Sequence, residues 1–214
     1  MKRLLLLAFA TLLLFTLGSA AWYYSKLHNN KGTHKAATIS SHSERMIPLK
    51  EQAGNILAYA KKNNYNTQQC FLVNMNINSG TNRFFVYDLK KDSLLDAGLV
   101  AHGRCNENWL TGRKYGNAPG CGCTSLGKYK VGKPYKGRFG LAYKLYGLDS
   151  TNNNAFKRFV VSHSHSCMPD KEVDPYPVCQ SDGCPMVSPI FLNKLAGIID
   201  GSSKPILLYT FDGN

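Results

Sequence analysis

The chemistry of this chain is concentrated in two short segments near its carboxyl end. One is Ser181-Asp182-Gly183-Cys184-Pro185, a tight turn of small residues that ends on a thiol. The other is Val160-Val161-Ser162-His163, an apolar run that ends on an imidazole, followed by Ser164 and His165. A thiol becomes a strong nucleophile at neutral pH once a base takes its proton, and an imidazole whose other nitrogen is held by a carbonyl or carboxylate is such a base. A glycine before the cysteine lets the backbone approach a ligand and aim N–H groups at a developing oxyanion. Cys184 and His163 lie 21 residues apart, so they meet only if the connection folds back. His165 stands as a second candidate base, and His102, in a His102-Gly103 turn, either lines the cleft or shapes that turn.

The elements that must position these groups are mostly strands. Pro48 followed by Leu49, Ala53, Ile56, Leu57 and Ala60 predicts an amphipathic helix over 48–64, closed by Lys61-Lys62-Asn63-Asn64. Cys70–Ile77 and Arg83–Tyr87, joined by Asn78-Ser79-Gly80-Thr81-Asn82, predict a hairpin. Further strands are expected at Ala97–Ala101, Gly127–Val131, Leu141–Leu145, Phe159–Ser162 and Pro205–Phe211. The Gly/Pro/Asn-rich connections favour a mainly β sandwich or barrel with one or two flanking helices over alternating βα units.

Lys2-Arg3, the apolar run Leu4–Leu17 and the small residues Gly18-Ser19-Ala20-Ala21 have the order of an export signal cleaved near Ala20 or Ala21. An uncleaved anchor is the alternative, because the uncharged stretch continues to Lys26. Residues 22–47 carry no apolar period and read as a linker. With 214 residues and 43% hydrophobic content the chain is long and apolar enough to bury a core, which excludes a disordered polymer. The net charge of +13 is scattered rather than gathered in one Lys/Arg block, so it indicates no nucleic-acid partner. Seven cysteines in an exported chain predict disulfides, with six paired and one left free; Cys167 and Cys179, in one connection, are the first pair expected.

Taken together, the Ser181-Asp182-Gly183-Cys184 turn and the strand ending in His163 resemble the murein L,D-transpeptidases with the YkuD-like catalytic domain, in particular the Gly-Cys-Pro subgroup. Supporting segments are His102-Gly103, Thr124-Ser125-Leu126-Gly127-Lys128-Tyr129, Tyr135–Gly140, Leu145-Tyr146-Gly147-Leu148 and Asn154-Ala155. The resemblance spans 69–214. It implies a β-rich fold with Cys184 as nucleophile, His163 as general base, the backbone around Ser164 as its orienter, and Gly183 and Cys184 as oxyanion donors. Ser181, Asp182, His102 and Arg158 are the implied substrate-binding residues. The implied reaction attacks an L,D-linked amide of a peptidoglycan stem peptide, releases the terminal D-residue, and passes the acyl group from the thiol to the amine of a second stem peptide. Water as acceptor would make the same site a carboxypeptidase. Stem peptides carry carboxylates, which suits a basic protein. The chain would act as a monomer in the periplasm or cell envelope, at the inner membrane if the anchor is retained.

Two departures from the family pattern stand out. Most members carry Arg two positions after the cysteine, where this chain has Met186, so the cation is absent or supplied elsewhere, with Arg158 a candidate. Asp182 replaces a frequent His or aromatic and makes the field at the thiolate more negative. Two other functional classes compete. A zinc site from His163, His165, Cys167, Cys179 and Cys184 lacks a Cys-x-x-Cys pair and needs thiols that export tends to oxidise, so no metal and no cofactor are expected. A disulfide-stapled wall-binding module without catalysis accounts for charge and cysteines but leaves the Ser-x-Gly-Cys turn unexplained.

Overall fold

The computed structural model describes residues 16–26 and 47–213. Residues 16–26 are helical; the rest of the expected signal and most of the expected linker lie outside the described residues. Among the described residues no helix is long and apolar enough to cross a membrane. The chain divides into two units between Ile47 and Pro48, and the second holds the sheet and the candidate site.

Helix α1 covers 47–63, one residue from its expected start. Its periodic residues Leu49, Ala53, Ile56 and Ala60 are buried. Asn64 ends it in the left-handed region at φ 60°, a conformation asparagine tolerates at a helix C-terminus. Eight strands follow: β1 (Gln69–Asn74), β2 (Phe84–Asp88), β3 (Ser93–Gly98), β4 (Gly127–Gly137), β5 (Gly140–Gly147), β6 (Val161–Ser164), β7 (Met186–Val187) and β8 (Leu207–Phe211). Helix α2 (Pro189–Asp200) lies between β7 and β8.

The strands form one sheet in the order β3-β2-β1-β8-β4-β5-β6-β7. β1–β8 and β6–β7 are parallel pairs and the remaining pairs are antiparallel. The architecture is mainly β with flanking helices, as the sequence predicts, but the sheet does not close into a barrel. Past β3 the chain leaves the ladder, and residues 101–104 meet the far end of the sheet only through single contacts. Ala101 N–H donates to the Met186 carbonyl at 2.9 Å, and Gly103 forms an isolated bridge with Ser181.

Alternation along each strand divides the sheet into two faces. On one, Phe71, Val73, Phe84, Val86, Tyr143 and Leu145 pack with Phe191, Leu192 and Leu195 of α2, and the rings of Phe84 and Phe191 meet edge-on at 5.4 Å. Each such fully buried side chain is worth about 1.5–3 kcal/mol in transfer free energy, so α2 holds the site-bearing end of the sheet firmly. Ser188 starts this helix by accepting from Phe191 N–H at 3.2 Å, with Pro189 in its first turn. On the opposite face α1 reaches the start of β4, where Lys128 Nζ lies 5.3 Å from the centre of the Tyr59 ring.

Three expectations are corrected. The third strand is Ser93–Gly98 instead of Ala97–Ala101; Leu99 and Ala101 are buried but off the ladder. The sixth strand begins at Val161, because Phe159 sits in a turn at φ 57° with 84% exposure. The cysteine parity also changes: Cys167–Cys179 forms as expected, Cys105 pairs with Cys123, and Cys70, Cys121 and Cys184 are free. Cys70 is wholly buried in β1, out of reach of a partner, and its thiol is pushed up to about 12 by that burial. We expect iodoacetamide to label Cys121 and Cys184 in the native protein and a third site, Cys70, only after unfolding, as counted by intact mass without reduction.

Candidate active site

The Ser-x-Gly-Cys turn is held from both sides. Ser181 N–H donates to the His102 carbonyl and Arg104 N–H to the Ser181 carbonyl, each at 2.9 Å. Gly103 N–H in turn donates to Thr124 Oγ1 at 2.8 Å. Segments scattered along the sequence, His102-Gly103 and Thr124-Ser125, thus meet around residue 181. Within the turn, the Gly183 N–H donates to Ser181 Oγ at 3.2 Å, and that hydroxyl donates to the Cys184 carbonyl at 2.7 Å. Ser181 is therefore a buried brace within the turn. The Gly183 N–H, expected at an oxyanion, is consumed by this brace, whereas the Cys184 N–H has no hydrogen-bond partner among the described residues.

Gly183 adopts φ 102°, and a Cβ there would lie 2.5 Å from the Cys123 carbonyl oxygen and 3.0 Å from Arg158 Nη2. Arg158 donates to the carbonyls of Gly116, at 2.9 Å, and Cys123, and to Ser125 Oγ at 3.0 Å. Its guanidinium fixes the 116–125 segment against the turn. Its charge still reaches the thiol. Asp182, the expected substrate contact inside the motif, points outward and pairs with Arg104 at 2.8 Å.

Cys184 lies two residues before Met186, which pairs in parallel with His163. Its Sγ is 3.8 Å from the Phe159 carbonyl and accepts from the Val161 backbone N–H. Val161 precedes His163 by two residues on β6, so both side chains occupy the same face. Burial pushes the Cys184 thiol up most strongly; the Val161 N–H and the Arg158 charge pull it down, and Asp182 raises it. The net direction is upward, so Cys184 rests as a neutral thiol and needs a base.

His163 is 4% exposed, and its Nδ1 is 3.0 Å from the Ser164 carbonyl. A carbonyl only accepts, so Nδ1 carries the proton and Nε2 keeps its lone pair. His165 differs, because its Nδ1 accepts from Cys167 N–H at 3.1 Å and its neutral ring has no lone pair left over. Burial, above all, holds the His163 imidazole below its usual value. Phe139, at the tip of the β4–β5 hairpin, stacks on it with ring centroids 4.9 Å apart and 17° between planes, and meets His165 edge-on at 5.6 Å. The Tyr135–Gly140 segment that supports the resemblance contains this phenylalanine, but its place against the histidines is set by the hairpin tip and not by strand register. Phe139→Ala is expected to raise the His163 pKa toward 6.5 by readmitting water. Titration of the ring by NMR, and the acid limb of thiol reactivity, should both move to higher pH.

His102 does not join this constellation. Arg83 Nη2 donates to its Nδ1 at 3.1 Å, which places the proton of the neutral ring on Nε2, and the Gln180 amide, held on both atoms by Leu110, stands 3.3 Å from that nitrogen as a neighbour and not as an acceptor.

A family model described as the L,D-transpeptidase catalytic domain (YkuD_2) matches residues 43–210. No curated protein matches. Among solved structures, the K307A mutant of the helical cell shape determining protein Pgp2 from Campylobacter jejuni aligns at 16% identity with a TM-score of 0.44, covering 70% of this chain and 49% of that one. The Ldtfm-avibactam carbamoyl enzyme aligns at 13% identity and TM-score 0.42, covering 69% and 50%. The L,D-transpeptidase of Xylanimonas cellulosilytica aligns at 15% and 0.40, covering 67% and 60%. The chain thus spans about half the length of the first of these structures.

Proposed function

Because the chain belongs to the L,D-transpeptidase catalytic-domain family, we propose that it is an exported enzyme that remodels peptidoglycan through a thioester on Cys184, with His163 as its base. The observation that carries this reading is a free, neutral thiol beside a strand whose imidazole is locked with Nε2 unprotonated. Nε2 of His163 takes the thiol proton as sulfur attacks the carbonyl of an L,D-linked amide in a stem peptide. The oxyanion that forms is met by the Cys184 N–H, a free donor of the turn and the one on the nucleophile itself. As the C–N bond breaks, the imidazolium returns its proton to the departing amine, leaving the acyl group on sulfur. A second stem peptide's amine then attacks the thioester, His163 accepts the amine proton, and the thiol is restored as the new amide forms. Depressed basicity of His163 keeps it unprotonated near neutral pH, as its first step requires. Arg158 supports the nascent thiolate electrostatically and holds the loop behind it, two tasks that answer for the cation absent at Met186.

Carbapenems acylate thiols of this family, so intact mass after incubation with one reads the nucleophile directly. The expected result is one covalent adduct on the wild type, none on Cys184→Ser, and adduct formation slowed at least about 10²-fold in His163→Gln, on the scale of losing a general base. An adduct that survives Cys184→Ser, or wild type left unmodified, overturns the assignment. Peptidoglycan fragments with amine or water as acceptor then separate cross-linking from hydrolysis.

A further inference from the structure

Beyond the turn and the imidazole, the open face of β4 and β5 carries an unassigned surface that leads up to the Phe139 ring covering His163. In antiparallel pairs, directly opposed residues share a face. Ala142 pairs with His163 and with Tyr135, Lys144 pairs with Val161, and Lys130 pairs with Tyr146. One continuous face therefore runs from the imidazole through Tyr135, Lys144 and Tyr146 to Lys130, and α1, which stops at Lys128, leaves it uncovered. Here the β4–β5 register shifts between Val131 and Pro134. A cavity of about 810 Å³ lies alongside, lined by Lys130, Lys133, Lys144 and Lys204 with Tyr135 and Tyr146.

The charges on this face are unbalanced. Lys50, Lys128 and Lys194 each hold an aspartate at 2.8 Å. None of the four cavity lysines has a carboxylate partner among the described residues. Two lie over rings instead: Lys130 is 4.5 Å from the centre of Tyr146, and Lys144 is 5.5 Å from those of Tyr135 and Phe156. The one acid in the cavity, Asp200, already accepts the Tyr143 hydroxyl at 3.1 Å. Lysines held above rings, without counter-charges, keep their donors available to an arriving anion.

We propose that this face is a binding track for an acidic peptide, the carboxylate-bearing stem peptides of a peptidoglycan strand, which it lays across the sheet toward His163. The choice of ligand rests on the catalytic reading above; the track itself rests on the unpaired lysines and their continuity with His163. At about 3.3 Å per residue, His163 to Tyr146 corresponds to an extended peptide of roughly four residues.

The test is co-sedimentation of the protein with insoluble peptidoglycan sacculi, native or with their carboxyls amidated, across a salt series. Binding of wild type should weaken at least tenfold on amidation. Lys133→Glu/Lys204→Glu should weaken binding to native sacculi by a similar factor and lose its sensitivity to amidation, while Lys62→Glu/Lys90→Glu, with the same charge change on exposed residues elsewhere, binds as wild type. Unfolding midpoints confirm that each variant is folded. Equal losses in the two double variants, or equal losses on native and amidated sacculi, overturn the track. Carbapenem acylation of the wild type reads Cys184 separately: its absence with charge-dependent binding intact would fail the catalytic reading and leave the track standing.

Discussion

Gly183→Ala should leave a destabilised protein whose thiol is acylated at least about 10²-fold more slowly, the size of effect seen when a single oxyanion donor is lost. The cause is local and twofold. At φ 102° an alanine backbone is strained, at a cost of order 1–3 kcal/mol. The new methyl would also stand 2.5 Å from the Cys123 carbonyl oxygen, which cannot retreat because Arg158 holds it. Overpacking of this kind adds about 1–3 kcal/mol. The turn must therefore move, and it carries the free Cys184 N–H with it. Gly197→Ala, in the middle of α2 with nothing within 4 Å of the added atom, is the matched control and should stabilise by about 0.5–1 kcal/mol. Thermal unfolding and acylation rates measured on both variants check the pair; equal behaviour would show that the turn at Gly183 tolerates a side chain and does not set the position of the Cys184 N–H.

That turn is legible in the sequence, because its meaning lies in residue types: a small-residue run ending on a thiol, and a strand ending on an imidazole. So was α1, whose five apolar positions repeat at one period. The segments that escaped are those whose order comes from elsewhere in the chain. β7 is two residues long and exists because Met186 and Val187 lie beside His163 and Ser164. α2 did carry a signal, Ser188 before Pro189 and then Phe191, Leu192 and Leu195, but it directly follows the motif and reads as part of the same loop. The Gly/Pro/Asn-rich connections suit a sandwich or a barrel alike, and closing a barrel needs a ladder between β3 and β7. The chain offers there the irregular 99–104 segment, which is occupied with holding Ser181.

The roles of polar side chains were harder still, because a motif names a residue and not its partner. Ser181, Asp182 and Arg158 all surround the thiol, as the sequence suggests, but each is committed within the protein: to the turn, to Arg104, and to the 116–125 segment. Cysteine parity failed for a related reason. An odd count predicts one free thiol only if every other cysteine has a partner within reach, and burial in β1 denies Cys70 that partner.

The same network makes His102 a stability determinant in acid. Burial first, then the charges of Arg83 and Arg113, bring its pKa down to about 4, against 6.5 for an unrestrained imidazole. Arg83 is itself 3% exposed and donates to the carbonyls of Val100 and Ile77. An imidazolium at 102 would thus face a buried cation on one side and the Gln180 amide nitrogen on the other. Between pH 6.5 and 4 the unfolded chain binds a proton at this residue that the folded protein refuses, so stability falls as pH falls. The slope approaches about 1.4 kcal/mol per pH unit and the loss totals about 3 kcal/mol by pH 4. His163, also depressed, adds in the same direction; Asp88 and Asp92, held below 3.8, lose their contributions only at lower pH. Urea unfolding from pH 7 to pH 4 should show this decline, and His102→Asn, which keeps an acceptor for Arg83, should flatten it by about one proton. A variant with the wild-type slope would show that His102 takes up its proton in the folded state, and the Arg83–His102 contact would then lose its place as the rigid support beneath Ser181.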